Sequence, residues 1–190
     1  MHKVIIISGS PRQDGNTMDM LNIAAEEIEK AGCEAEIISF AGQEIKGCIA
    51  CPNCCADHGQ CVLDDGANEI FAKIAQADGL IIGAPVYFGT ARGDMMNFLQ
   101  RLGMYSARHG NFLNGMVGGP VVVGRRGGHT ATIQELLMYS FICGMTVCGS
   151  NYWNIAYGRN KGEALQDEEG VATIRKFAHN VAETIKKTRG

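Results

Sequence analysis

The stretch KVIIISGSPRQDGNT, residues 3–17, decides how the rest of the chain is read. After Lys3, the β-branched run Val4 to Ile7 ends at Ser8 and Gly9, the pattern of a buried strand. A loop rich in Gly, Ser, Asn and Thr follows. Within Met18–Ala31, Leu21, Ala24, Ala25 and Ile28 then recur at helical spacing. A strand, a polar turn and a helix in succession open a parallel α/β sheet. In that setting the loop is an anion seat. Its backbone N–H groups, the Ser10 and Thr17 hydroxyls, the Asn16 amide and Arg12 can all donate, and the helix dipole favours negative charge. Gly9 and Gly15 open backbone angles closed to other residues.

Two familiar phosphate loops are excluded. Five residues separate Gly9 from Gly15, and Asn16 stands where a nucleotide triphosphatase needs Lys; the dinucleotide fingerprint G-x-G-x-x-G is absent. Hydroxyl and amide donors with one Arg suit a single phosphate monoester. The plain alternative is a capped helix with no ligand.

Working outward, Glu34–Phe40, Gly79–Ala84, Val117–Val123 and Met145–Trp153 read as further strands. Between them, Ala67, Ile70, Phe71 and Ile74 mark the inner face of a helix capped by Asp64 or Asp65. Met95, Phe98, Leu99 and Leu102 mark a second, and Ile133, Leu136, Leu137 and Phe141 a third. Val171, Ile174, Ala178, Val181 and Ile185 mark an amphipathic helix near residue 190. This alternation predicts a flavodoxin-like three-layer α/β sandwich whose five-stranded parallel sheet has the order 2-1-3-4-5. One domain is expected over 1–190, with a cysteine-rich insertion at about 46–63. In such folds the ligand lies at the carboxyl ends of the strands.

Two more loops fall at that edge. APVYFGTARG, residues 84–93, stiffens the strand exit with Pro85 and sets Val86, Tyr87, Phe88 and Gly89 where backbone groups and aromatic surface can meet a flat heteroaromatic ring. GRRGGHT, residues 124–130, offers Gly124, Gly127 and Gly128 as a pliant turn and Arg125 as positive charge, which next to a reduced flavin would stabilise the anionic ring. Solvated arginines and packing aromatics are the plain readings. His129 is expected as a helix-start or surface residue.

The stretch KGCIACPNCCADHGQC, residues 46–61, carries Cys48, Cys51, Cys54 and Cys61 at x2, x2, x6 spacing, with Cys55 beside the third. Four thiolates this close suit a 4Fe–4S cluster, since ferredoxin-type runs are similarly compact. Zinc usually takes two separated C-x2-C hooks, and a Cys48–Cys51 redox pair leaves neighbours unexplained. Loose thiols are the plain alternative. Either Cys54 or Cys55 serves as third ligand, with spacing favouring Cys54. Cys33, Cys143 and Cys148 read as buried small hydrophobes.

Composition narrows the setting. A net charge of −3 provides no basic surface for nucleic acid. No stretch of 18 apolar residues reads as a membrane span, and the short run after Met1-His2-Lys3 is no export signal, so a cytoplasmic protein is expected. Eight Cys in a reducing compartment then argue for metal, cluster or redox use over disulfides.

Together these motifs resemble the iron–sulfur flavoprotein group of the NADPH-dependent FMN reductase superfamily. GSPRQDGNT is similar to its phosphate loop, APVYFGTARG to its flavin-edge loop, and CIACPNCCADHGQC to its cysteine motif. The resemblance implies FMN held by Ser10, Arg12, Asn16 and Thr17 at the phosphate and by Pro85, Val86, Tyr87, Phe88 and Gly89 at the ring. It also implies a homodimer or homotetramer in which one subunit's cluster lies near another's flavin. The expected partners are a small-molecule redox substrate and a ferredoxin-like donor or NAD(P)H, with no catalytic acid, base or nucleophile required. A cluster-free NAD(P)H-dependent flavin, quinone or nitro reductase is the alternative. GDMMNFLQR, residues 93–101, departs from the relatives' G-x-L-K-x-F-x-D-R: Met96 replaces the Lys and Gln100 the Asp, while Arg101 is kept.

Overall fold

In a computed structural model, residues 1–55 and 59–189 are described, Cys55 by its backbone alone. The opening apolar run forms β1 (Lys3–Ser8), with Val4, Ile5, Ile6 and Ile7 fully buried. Successive side chains of a strand point to opposite faces. Ile5 and Ile7 therefore join one core with Phe71, Phe98 and Leu136, and Val4 and Ile6 join the other with Leu21, Phe177 and Val181. A strand buried on both faces reads as a continuous apolar run for this reason.

Further elements follow in chain order: α1 (Asn16–Lys30), β2 (Glu34–Ser39), α2 (Ala67–Ile74), β3 (Gly79–Tyr87), β4 (Thr90–Ala91), α3 (Gly93–Arg108), β5 (Val117–Gly124), α4 (His129–Ile142), β6 (Thr146–Val147), β7 (Ile155–Tyr157) and α5 (Glu168–Arg189). The sheet runs β2-β1-β3-β5-β6 in parallel; β4 folds back on β3, and β7 pairs with β5. With the β4 hairpin set aside, this is the expected flavodoxin-like order. One layer holds α1 and α5, the other α2, α3 and α4. In the second layer Phe40, Phe71, Phe98 and Tyr105 form an aromatic chain with ring centroids 5.0–5.2 Å apart. Each fully buried Phe contributes on the order of 1.5–3 kcal/mol by leaving water. Among the described residues no helix is long and apolar enough to cross a membrane.

One sequence expectation needs correction, and two others hold with a difference in burial. The last strand is not continuous over Met145–Trp153: it is split into β6 and β7. The cause lies in β5. The outer edge of β5 accepts the Cys148 N–H at Gly118 and donates the Val122 N–H to Asn154. Pro120 lies between these two and has no N–H to give. The chain loops out there, and Asn154 Nδ2 covers the orphaned Pro120 carbonyl at 3.1 Å.

The first difference concerns α4. Its apolar positions do mark a helix, but only Ile133 and Leu136 enter the core. Leu137, Met138, Phe141 and Ile142 are exposed, the last two at 80% and 84%. The second concerns His129. It starts α4 as expected but is buried; its Nε2–H donates to the Ala156 carbonyl at 3.2 Å, and Tyr157 packs on the ring.

Candidate functional site

Strand order brings the loops after β1, β3, β5 and β7 to one edge of the sheet. There they enclose a cavity of about 280 Å³. Ten expected residues line it: Ser10, Arg12, Gly15, Asn16, Thr17, Pro85, Val86, Tyr87, Gly124 and Arg125. Phe88, Gly89, Gly127 and Gly128 do not. Pro11, Val123, Gly158 and Arg159 also line it and were not anticipated. Gly158 and Arg159 were missed because the last strand was ended at Trp153. Extending it to Tyr157 puts them at the carboxyl edge, where the topology rule would have found them.

One end of the cavity is built for an anion. Gly15 is the N-cap of α1 and brings no side chain to its first-turn N–H groups. Ser10 and Thr17 are buried beside that turn. Ser10 Oγ accepts the Arg12 N–H at 3.1 Å, which leaves its own hydroxyl proton to donate. Arg12, Arg125 and Arg159, from three separate loops, also line the cavity and give it positive charge. The Asn16 amide has a structural task as well. Its Nδ2 donates to Asn160 O at 2.9 Å and its Oδ1 accepts the Ala164 N–H at 3.2 Å. The carboxamide braces the fold, and its second Nδ2 N–H and the Asn16 backbone remain for an anion.

The opposite wall is the β3–β4 hairpin. Val86 pairs with Ala91 and Tyr87 with Thr90 across the turn Phe88-Gly89. Both turn residues have positive φ, 51° and 89°. For Phe88 this is a strained conformation, worth roughly 1–2 kcal/mol. The Phe88 ring is fully solvent-exposed, while Tyr87 borders the cavity. Glu135 of α4 clamps the hairpin by accepting from the Thr90 hydroxyl at 2.5 Å and the Ala91 N–H at 3.1 Å. Gly128 makes the loop before α4 fit against it. Its φ is +92°, and a Cβ there would lie 2.8 Å from Val86 Cγ1 and 3.0 Å from the Gly89 Cα. Gly89 and Gly128 thus shape the wall from behind.

The cysteine loop forms a second pocket, which shares no lining residue with the first. Cys48, Cys51, Cys54 and Cys61 surround it with Ile49, Leu63, Met104, Tyr105 and Arg101. The space between them is about 20 Å³. Among the described residues, no three of His, Cys, Asp or Glu draw close enough to clasp one metal ion. The Cys55 side chain lies outside the described residues, so the choice between Cys54 and Cys55 does too.

Helices α2 and α3 anchor this loop. Asn68 of α2 accepts the Cys61 N–H at 3.0 Å and returns a bond to the Cys61 carbonyl at 2.8 Å. Asn97 of α3 donates to the Ile45 carbonyl at 2.9 Å. Arg101 forks onto Asp65 at 2.6 and 3.0 Å, with side chains 2% and 4% exposed. Asp65 also accepts the Lys46 N–H at 3.0 Å. Burial raises the carboxyl's pKa, but Arg101 and the Lys46 N–H overcome this and hold it below the usual range. Asp65 caps α2 only weakly, accepting the Ala67 N–H at 3.3 Å; Gly66 is the N-cap. Elsewhere, burial pushes the thiols of Cys33, Cys143 and Cys148 up, away from the reactive thiolate.

Residues 2–160 match the NADPH-dependent FMN reductase family. An iron-sulfur flavoprotein of Methanocaldococcus jannaschii is 39% identical over 97% of this chain and 97% of its own length. An iron-sulfur flavoprotein of Methanosarcina thermophila is 34% identical over 98% of both chains. Among solved structures, a WrbA-like flavodoxin protein from Agrobacterium tumefaciens superposes with a TM-score of 0.67 at 16% identity, covering 98% of each chain, which places the fold.

Proposed function

The chain belongs to the NADPH-dependent FMN reductase family, an FMN-dependent redox group, and from that premise we propose an iron–sulfur flavoprotein that passes electrons between a donor and a small acceptor. In this reading FMN occupies the cavity at the sheet edge and a 4Fe–4S cluster joins Cys48, Cys51, Cys54 and Cys61. When bound, FMN supplies one- or two-electron transfer and the cluster one-electron transfer.

The observation that carries the reading is the pairing of two pockets in one chain. One has buried hydroxyls, an open helix N-terminus and three arginines; the other is lined by four cysteines and a buried cation. The first suits a phosphate ester that continues into a flat ring. Ser10, Thr17 and the first-turn N–H groups of α1 hold the phosphate, and Arg12 and Arg159 add charge. Pro85, Val86 and Tyr87 flank the ring, and Arg125 favours negative charge on it. In the second pocket the four cysteines are the ligands, as the names of the relatives encourage.

The reading extends to a ferredoxin-like or NAD(P)H donor and to a homodimer or homotetramer. The exposed α4 face and Phe88 support an assembly, because large apolar side chains clustered on a surface usually mark an interface. A second reading, a cluster-free NAD(P)H-dependent flavin, quinone or nitro reductase, is favoured by the closeness of the cysteine pocket, whose 20 Å³ must open to admit a cluster.

Anaerobic purification with iron, sulfide and flavin analysis tests the proposal. About four iron and four sulfide per FMN support it. FMN with no iron leaves the reductase. Protein that lacks FMN and ignores added FMN sinks both.

A further inference from the structure

We propose that Arg101 is a fixed cation that sets the reduction potential of the group held by Cys48, Cys51, Cys54 and Cys61. The inference rests on the cluster reading above.

The geometry separates two jobs within one guanidinium. Nη1 donates to Asp65 Oδ2 at 2.6 Å and to the Lys46 carbonyl at 3.1 Å; Nη2 donates to Asp65 Oδ1 at 3.0 Å and to the Leu63 carbonyl at 3.5 Å. These bonds tie both ends of the cysteine loop to α3 and are all that a mechanical staple requires. Nε–H is left over. It is buried and has no partner of ordinary hydrogen-bond geometry. A buried donor without an acceptor is costly and uncommon.

The same side chain forms part of the wall of the four-cysteine pocket. Its fork onto the Asp65 carboxylate favours the charged form, and a guanidinium keeps its proton in proteins. A thiolate or sulfide sulfur is the acceptor that the leftover N–H lacks. The guanidinium is planar, permanently charged and locked by its fork, so it cannot swing away or lose its proton.

The electrostatics follow. One-electron reduction adds one negative charge to a thiolate-held cluster. A cation at its wall stabilises the reduced form more than the oxidised form and raises the potential, and a hydrogen bond to a ligand sulfur acts in the same direction. Asp65 opposes this from behind the guanidinium. Removing the arginine and removing the carboxylate charge must therefore move the potential in opposite directions. A staple alone predicts the same disturbance from either change.

The test is anaerobic potentiometric titration, followed by electron paramagnetic resonance, of the FMN- and iron-replete protein, with iron content and circular dichroism recorded for each variant. Arg101→Gln is expected to lower the potential so that the oxidised-to-reduced ratio at a fixed potential rises at least tenfold, which is 59 mV for one electron. Asp65→Asn is expected to raise it. Arg101→Lys, which keeps the charge but loses the fork, is expected to shift less than Arg101→Gln. An unmoved potential in Arg101→Gln, or shifts of one sign in both Arg101→Gln and Asp65→Asn, overturns the proposal. If Arg101→Gln does not fold or hold iron, the sign in Asp65→Asn decides: a rise supports the proposal, and no change or a fall overturns it. Wild-type protein that contains FMN but never iron defeats the cluster reading instead, and is recognised before any variant is made.

Discussion

Asn16 and Asn160 lie 144 positions apart, yet the Asn16 Nδ2 donates to the Asn160 carbonyl at 2.9 Å. The same carboxamide takes the Ala164 N–H, and Gly158 lies so close that a Cβ there would fall 2.6 Å from Nδ2. One side chain at the start of the first helix therefore fixes the loop that carries Arg159 to the cavity. The proposed phosphate end of the site is assembled from both ends of the family-matching segment.

Replacing Asn16 by Ala strands the buried Ala164 N–H. A stability loss of about 1–3 kcal/mol is expected, read by urea denaturation of the flavin-free protein. FMN affinity should fall roughly tenfold, on the order of 1.4 kcal/mol, with a smaller effect on riboflavin, because the change displaces Arg159 at the phosphate end. Asn16→Asp should weaken FMN further, since it sets a negative charge beside the anion. Fluorescence titration checks both. Equal losses for FMN and riboflavin would show that the loop does not serve the phosphate.

Gly128→Ala combines a left-handed backbone with a clash against Val86 and Gly89. A loss of roughly 2–4 kcal/mol is expected. Gly127→Ala meets no atom within 4 Å and should stay within about 0.5 kcal/mol of the parent. Chemical denaturation of the pair separates steric fit from loop flexibility; equal effects would contradict the packing described.

Burial lowers the pKa of His129 from its ordinary 6.5, more than its bonds to the Ala156 and Gly124 carbonyls raise it. The unfolded chain then takes up this proton at a higher pH than the folded one. Stability contributed by neutral His129 is complete above about pH 6.5 and falls as the pH drops toward the folded pKa. Denaturation midpoints measured from pH 7.5 to 5 should decline, and His129→Gln should flatten that part of the curve. An unchanged slope in the variant would remove His129 from the account.

The exposed α4 face gives a test of assembly. Phe141→Glu or Met138→Glu should reduce the proportion of the proposed homodimer or homotetramer in light scattering and leave FMN binding within about threefold of the parent, because neither residue borders the cavity. A parent protein that is monomeric at micromolar concentration would leave that face without a second copy to cover it.

Much of this architecture is legible in the chain. The inner-face residues Ala67, Ile70, Phe71 and Ile74 of α2 are buried as their spacing predicts, and the loops after β1 and β3 meet at one cavity. What escaped the sequence depends on partners far away. The split of the last strand is dictated by Pro120, in a different strand. The burial of His129 depends on Ala156, and the fork of Arg101 on Asp65, 36 positions away. A charged residue gives no periodic signal of its partner, so Arg101 read only as a residue kept from a relative's pattern. Asn16 gives no signal of its partners either, since part of its carboxamide is committed to Asn160 and Ala164, far along the chain.

The missing N–H at Pro120 has an effect beyond the split itself. A continuous strand on that rim would offer a long row of open peptide groups, and such rows recruit other chains into fibrils. Here the rim is cut into pieces of two and three residues, with a carboxamide seated between them. By denying its neighbour one donor, a single imino acid shortens the open peptide row on that rim.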